Sequence, residues 1–206
     1  LGPLLNEALG RTTDQSHWVY LSDGGHFENL GLYEMVLRRC KRIVVVDGGA
    51  DPGFNLEDLG NAVRKIFIDL GVPIEFDTPP VFEPRPKASQ THCYLAQIRY
   101  SRVDGPPEQN DGMLLYIKAS LTGDEPADVT QYAKAHPDFP HESTANQFFN
   151  ESQFESYVRL GSHVVEKLVH RGFGDNPPSP MSVEDLFSAA GAKPKAAAAK
   201  ADGGTV

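Results

Sequence analysis

Apolar positions recur along the chain in two rhythms. Trp18-Val19-Tyr20-Leu21-Ser22 is a short aromatic and β-branched run stopped by Asp23-Gly24-Gly25, the pattern of a buried strand ending in a tight turn. From Asn29 the rhythm becomes helical: Leu30, Tyr33, Val36 and Leu37 share one face, and the basic knot Arg38-Arg39-Cys40-Lys41-Arg42 suits the negative end of the helix dipole. Ile43-Val44-Val45-Val46 follows, an unbroken β-branched run of the kind covered on both faces, closed by Asp47-Gly48-Gly49. Strand, helix and strand within about 30 residues predict a right-handed βαβ unit with parallel strands. Both Asp-Gly-Gly turns then fall at one C-terminal sheet edge, where open α/β sheets form their sites.

Leu56, Leu59, Val63, Ile66 and Leu70 predict a second helix that Gly71 terminates. Pro73 to Pro86 reads as extended chain. Cys93 to Tyr100 and Met113 to Ser120, separated by a turn-rich loop, predict an antiparallel hairpin. Glu151 to Arg171 carries Phe154, Tyr157, Val158, Val164, Val165 and Leu168 as an apolar helix stripe, and Ser182 with Asp185 opens a short helix in capping-box spacing. Residues 191–206, rich in alanine and lysine, hold no large apolar side chain apart from the terminal Val206 and read as a disordered tail after a folded part at 1–190.

Composition removes whole classes of function. Among 206 residues, 28 are acidic and 19 basic, a net charge of −9, with only one basic knot. Nucleic-acid affinity rests on clustered Lys and Arg, so a nucleic-acid partner is excluded. The longest wholly β-branched apolar run, Ile43 to Val46, falls far short of the roughly 20 residues that cross a bilayer. Cys40 and Cys93 make neither a disulfide framework nor a Cys-x-x-Cys metal spacing. With Leu1 first and no signal-peptide pattern, the chain reads as a piece of a longer polypeptide.

Asp23 is the first candidate for chemistry: it follows a buried strand, and Gly24 and Gly25 let the backbone turn and leave space above the carboxylate. Asp-Gly-Gly is also an ordinary turn. Asp47 and Asp51, with Asp23 and Glu28, offer an acidic cluster for Mg²⁺, although no phosphate-binding glycine loop accompanies them. Seven histidines include no His-Glu-x-x-His pair, so zinc is not expected, and no cofactor is called for. His26 reads as a hydrogen-bonding neighbour of Asp23 or a cap of the following helix. No serine has the flanking glycines of a strand-to-helix nucleophile elbow.

The block Leu21-Ser22-Asp23-Gly24-Gly25-His26-Phe27-Glu28-Asn29-Leu30-Gly31-Leu32-Tyr33-Glu34 resembles the aspartate end of the patatin-like phospholipases, particularly the large bacterial members. The likeness continues through Ile43 to Pro52, Leu59 to Arg64 and Ile68 to Ile74. It returns at Ser120 to Asp128, Phe139 to Thr144, Gln147 to Phe149 and Gln153 to Tyr157, covering about residues 17 to 170. The resemblance implies an α/β, patatin-like fold: a partial parallel sheet built on βαβ, flanking helices and a β-hairpin. It also implies a serine acyl hydrolase of lipid esters in which Asp23 is the aspartate of a Ser-Asp dyad, supported by the Gly24-Gly25 turn and by His26 nearby. In that family the Gly-x-Ser-x-Gly elbow and the oxyanion loop lie N-terminal to the aspartate. This chain contains neither, so it is expected to be the C-terminal part of such an enzyme, inactive alone. Its partners would be the upstream part of the same polypeptide and a lipid ester, with location in the cytoplasm or at a membrane set by that upstream part. A sheet short of its first strands is also expected to leave an apolar edge open to association. Two alternatives remain: a non-catalytic regulatory or assembly module in which Asp23 is only a turn residue, and a Mg²⁺-dependent hydrolase.

Overall fold

The computed structural model describes residues 2–13, 15–18, 23–80, 91–143 and 145–191. Among them lie four strands and seven α-helices: α1 (Gly2–Ala8), α2 (Leu32–Leu37), β1 (Arg42–Asp47), α3 (Glu57–Leu70), β2 (Ile74–Phe76), β3 (Cys93–Ile98), α4 (Ser101–Asp104), β4 (Gly112–Lys118), α5 (Ala127–Ala135), α6 (Glu151–Phe173) and α7 (Val183–Gly191). The strands form one sheet in the order β1-β4-β3-β2, so the protein is mixed α/β. The hairpin expected from residues 93 to 120 is present as β3 and β4, antiparallel, with Leu95 opposite Leu115. β2 extends it antiparallel, giving strand structure to the start of the proline-rich segment.

Parallel pairing arises differently from the expected βαβ unit. The only parallel pair among the described strands is β1 with β4, in a register that sets Arg42 opposite Met113 and Asp47 opposite Lys118. β4 reaches β1 because it turns back from β3 and slots between the two, which makes the sheet mixed rather than a partial parallel one. Of the strand expected at residues 18–22, Trp18 is an exposed bend, and 19–22 lie outside the described residues. The expected tail likewise falls outside them from residue 192, and α7 carries regular structure through Gly191.

Alternation across the sheet separates two cores. On one face Ile43 and Val45 of β1, Tyr94, Ala96 and Ile98 of β3, and Leu114 and Tyr116 of β4 pack against Leu32 and Val36 of α2 and Leu59, Ala62 and Ile66 of α3. The other face contributes Leu115 and Ile117 to a core with Val129 and Tyr132 of α5, Leu160, Val164 and Leu168 of α6, and Phe187 of α7. β1 is not covered on both faces: its residues alternate, leaving Val44 40% and Val46 74% exposed. The physical reason is placement, since β1 ends the sheet order among the described residues and the α5–α7 core includes no β1 side chain.

Helix ends follow the sequence signals closely. Gly71 caps α3 in the left-handed region at φ +67°, where glycine avoids the Cβ clash, and its N–H donates to the Phe67 carbonyl. The Ser182 backbone N–H donates to Asp185 Oδ2 at 2.8 Å and the Asp185 N–H to Ser182 Oγ at 3.1 Å, a reciprocal cap at the start of α7. The expected stripe of α6 is corrected by half. Val164 and Leu168 are buried, but Phe154, Val158 and Val165 are exposed, because the inner face also carries Gln153, Ser156 and His163. Each polar intruder shown to bond is satisfied: Ser156 Oγ donates to the Ser152 carbonyl at 2.7 Å and His163 meets Asp124 at 3.1 Å.

α6 and α7 meet at Gly172, where an added Cβ would stand 2.5 Å from Ala189 Cα and 2.6 Å from its Cβ. Backbone cannot yield as a flexible side chain does, so Gly172→Ala is expected to destabilise the fold by about 1–3 kcal/mol despite alanine's better helix propensity. Urea unfolding followed by circular dichroism measures it, and a stabilised variant would show that the helices are not in this contact.

Candidate functional site

Residues 23–29 make a sharp bend against α3. Asp23 is extended (φ −68°, ψ 159°), and Gly24–His26 form a single 3₁₀ turn, with the Phe27 and Glu28 amides donating to the Gly24 carbonyl. An added Cβ at Gly25 would lie 2.9 Å from Asn29 Oδ1 and 3.2 Å from Asp23 Oδ1, so glycine is what leaves the carboxylate its room. Gly24 has open space around it and no such constraint. Three contacts pin the bend to neighbouring helices. Asn29 Nδ2 donates to Asp58 Oδ1 of α3 at 3.0 Å, Lys65 Nζ of α3 donates to the Phe27 carbonyl and sits 4.1 Å over the Phe27 ring, and Phe27 meets Tyr33 of α2 edge to face.

The Asp23 side chain is 76% exposed, and His26 Nδ1 donates to its Oδ1 at 3.0 Å. That hydrogen bond, and then the imidazole's charge, hold the carboxyl below the usual carboxylate range. Asp23 is therefore an ionised, outward-facing base with one oxygen fixed and tethered to His26, the partner that the spacing suggested.

The second Asp-Gly-Gly turn comes to the same place. A Cβ on Gly49 would lie 3.0 Å from Asp47 Oδ1 and 3.3 Å from Asp58 Oδ2, so Asp58 stands between the two turns, bonded to Asn29 of the first and crowding Gly49 of the second. Asn29, Asp47, Gly48, Gly49 and Asp58 line a cleft of about 360 Å³ at the C-terminal end of β1. The Asp47-Gly48-Gly49 turn stands at the C-terminal end of β1 as expected, whereas the strand expected before Asp23 falls outside the described residues.

The acidic cluster proposed for Mg²⁺ is not assembled among the described residues. Asp47 is buried and committed: Oδ1 accepts from the Gly49 amide at 2.8 Å and pairs with Lys118 Nζ at 3.0 Å, while Oδ2 accepts the Tyr116 hydroxyl. Glu28 accepts from the Leu30 and Tyr33 amides at the start of α2. Asp51 accepts from the amides of Asn55 and Leu56, clamping a loop in which Phe54 and Leu56 take positive φ and are fully buried. Each acid serves a backbone or a cation, so no common ligand set remains.

Two elements escaped sequence reasoning. One is Lys118, the last residue of β4 and only 2% exposed, whose Nζ also donates to the Gly49 carbonyl at 2.8 Å. Its signal was the single charge closing an apolar strand. The other is a group of His92, Asp124, Glu125 and His163, whose potential ligand atoms all lie within 4.8 Å of one another. These come from three separate segments, so no short spacing announced them. Burial pushes the Cys93 thiol up to about 11, which at pH 8 leaves roughly one molecule in a thousand as thiolate, and Cys93 is chemically quiet. Compared with family models, curated proteins and solved structures, the chain matches none of them.

Proposed function

We propose that this chain supplies the aspartate of a Ser-Asp dyad in a patatin-like acyl hydrolase of lipid esters, the serine coming from polypeptide N-terminal to residue 1. The observation that carries this reading is the Asp23 carboxylate: ionised, exposed, fixed at one oxygen by His26, and set on a bend where a side chain at Gly25 would crowd it. A buried acid, or one saturated by its own backbone, could not receive a hydroxyl from elsewhere. The resemblance of residues 21–34 to the aspartate end of that family points the same way.

Acyl transfer then follows from ordinary chemistry. Serine attacks the ester carbonyl as Asp23 takes its proton, and the proton passes to the leaving alcohol; water, deprotonated in turn by Asp23, releases the fatty acid. No histidine is required in the relay. His26 acts as a positioning residue, since its hydrogen bond holds Oδ1 and leaves Oδ2 to meet the hydroxyl. The elbow and oxyanion donors are not among residues 1–206, so the present chain is inactive alone in this reading. Fluorophosphonate labelling of the longer polypeptide tests it: one serine in a Gly-x-Ser-x-Gly segment becomes modified, at a rate that collapses in Asp23→Asn. Labelling that is absent, or unaffected by that change, leaves the non-catalytic module as the better account.

A further inference from the structure

The group formed by His92, Asp124, Glu125 and His163 shares no residue with the Asp23 bend, and more acceptors than protons meet at its centre. It joins the residue before β3, the loop after β4 and the middle of α6, all around the Thr122 hydroxyl. Thr122 Oγ1 stands 3.2 Å from His92 Nε2, 2.8 Å from Asp124 Oδ1 and 3.3 Å from Glu125 Oε1. A threonine hydroxyl has one proton to give. Three acceptors therefore converge on a single donor.

The His92 tautomer makes the deficit sharper. Ser120 Oγ donates its one proton to the Lys118 carbonyl at 3.1 Å, so its 2.8 Å contact with His92 Nδ1 has the imidazole N–H as donor. Nδ1 thus carries the hydrogen, and Nε2 directs a lone pair at Thr122, Asp124 and Glu125. An outer partner that fixes one ring nitrogen as donor and frees the other is the arrangement found behind metal-ligating histidines. The acids are held as well. Lys167 Nζ takes Asp124 Oδ2 at 2.6 Å, leaving Oδ1 facing His163 Nε2 at 3.1 Å, and Glu125 is anchored by the Thr122 and Gly123 amides. Two carboxylates against one lysine leave the group one charge short of neutrality.

We propose that His92, Asp124, Glu125 and His163 bind a divalent transition-metal ion of the zinc class. Two imidazole nitrogens with two carboxylate oxygens suit such an ion, whereas Mg²⁺ and Ca²⁺ prefer oxygen alone. Tetrahedral coordination at about 2.1 Å sets ligand atoms about 3.4 Å apart, so the present separations of up to 4.8 Å close by small rotations, chiefly of the half-exposed Asp124. Ions have a way in, through a cavity of about 330 Å³ that shares His92, Thr122 and Lys167. Once bound, the ion clips α6 to the strand ends of β3 and β4.

The test uses the whole chain, stripped with a chelator and titrated with Zn²⁺ against a chromophoric competitor, then with Co²⁺ by visible absorption. The proposal expects one equivalent bound at micromolar affinity or tighter, and Co²⁺ bands of four- or five-coordinate intensity. His92→Asn and His163→Asn should each weaken binding by about 100-fold or more, and Ser120→Ala, which releases the imidazole tautomer, by about 10- to 100-fold. His17→Ala, far from the group in sequence and exposed, serves as the control. Wild-type protein that binds no stoichiometric Zn²⁺ and gives no Co²⁺ bands overturns the proposal, as does binding that survives both histidine changes. Because the wild-type measurement decides alone, a variant that misfolds does not rescue it. Neither result depends on Asp23.

Discussion

Asp23→Asn, made in the polypeptide that also carries the nucleophile, is expected to lower kcat/KM for a short-chain ester by about 10²- to 10⁴-fold, the range that a general base supplies. The substitution keeps the shape of the side chain and its ability to accept from His26 Nδ1, so the loss isolates the negative charge that receives the serine proton. KM should barely move, because in the proposed dyad Asp23 acts on the nucleophile and not on bound ester. His26→Ala is expected to cost less, about tenfold, by freeing Oδ1 to rotate, and to leave fluorophosphonate labelling detectable. The pH dependence has a definite sign. His26 lowers the Asp23 pKa, so the charged, proton-accepting form persists throughout the neutral range, and kcat/KM should stay flat on the acid side and fall only below the range where an ordinary aspartate titrates. An Asn variant that retains near-normal turnover removes Asp23 from the mechanism and leaves it a turn residue.

Local signals were readable in the sequence wherever a few adjacent residues settle the matter. The Leu56–Leu70 periodicity with Gly71 behind it gives α3 to within one residue, and Ser182 with Asp185 gives the cap of α7. The hairpin was readable from two largely apolar runs around a turn-rich loop. What failed needed partners distant in the chain. Nothing near Ile43–Val46 says that β4, about 70 residues later, pairs beside it, or that α5–α7 stop short of covering its second face. Apolar counting misread α6 because Gln153, Ser156 and His163 occupy inward positions while Phe154, Val158 and Val165 point out. The same limitation hid the group around Thr122, whose ligands span residues 92 to 163. The Asp23 site was readable as a residue type with His26 as its neighbour, while the crowding at Gly25 and the contacts to α3 required coordinates.

Lys118→Met is expected to destabilise the protein by about 3–5 kcal/mol, the usual consequence of removing one partner from a buried ion pair. Lys118 and Asp47 are 2% and 3% exposed, directly opposite in the parallel β1–β4 register, with Nζ and Oδ1 3.0 Å apart. Methionine fills most of the lysine's volume, so little of the loss is cavity formation. What remains is a carboxylate, out of reach of water, that keeps the Gly49 amide and the Tyr116 hydroxyl but has no countercharge. For a domain near this size, about 2–4 °C of melting temperature accompanies each kcal/mol, so a drop of roughly 6–20 °C is expected by calorimetry. Asp47→Leu combined with Lys118→Met should be less damaging than the two single changes summed, because the charges leave together, while the Tyr116 hydroxyl and the Gly49 amide still lose their acceptor. An additive double variant would mean that the two side chains do not pair. The pair also bears on the Asp23 bend: Lys118 holds the Gly49 carbonyl and Asp47 the Gly49 amide, fixing the turn beside Asp58, which in turn bonds Asn29 behind that bend. Breaking it in the longer polypeptide is therefore expected to lower kcat at temperatures where the fold is still intact, through displacement of Asp23 and without loss of any group that touches the ester.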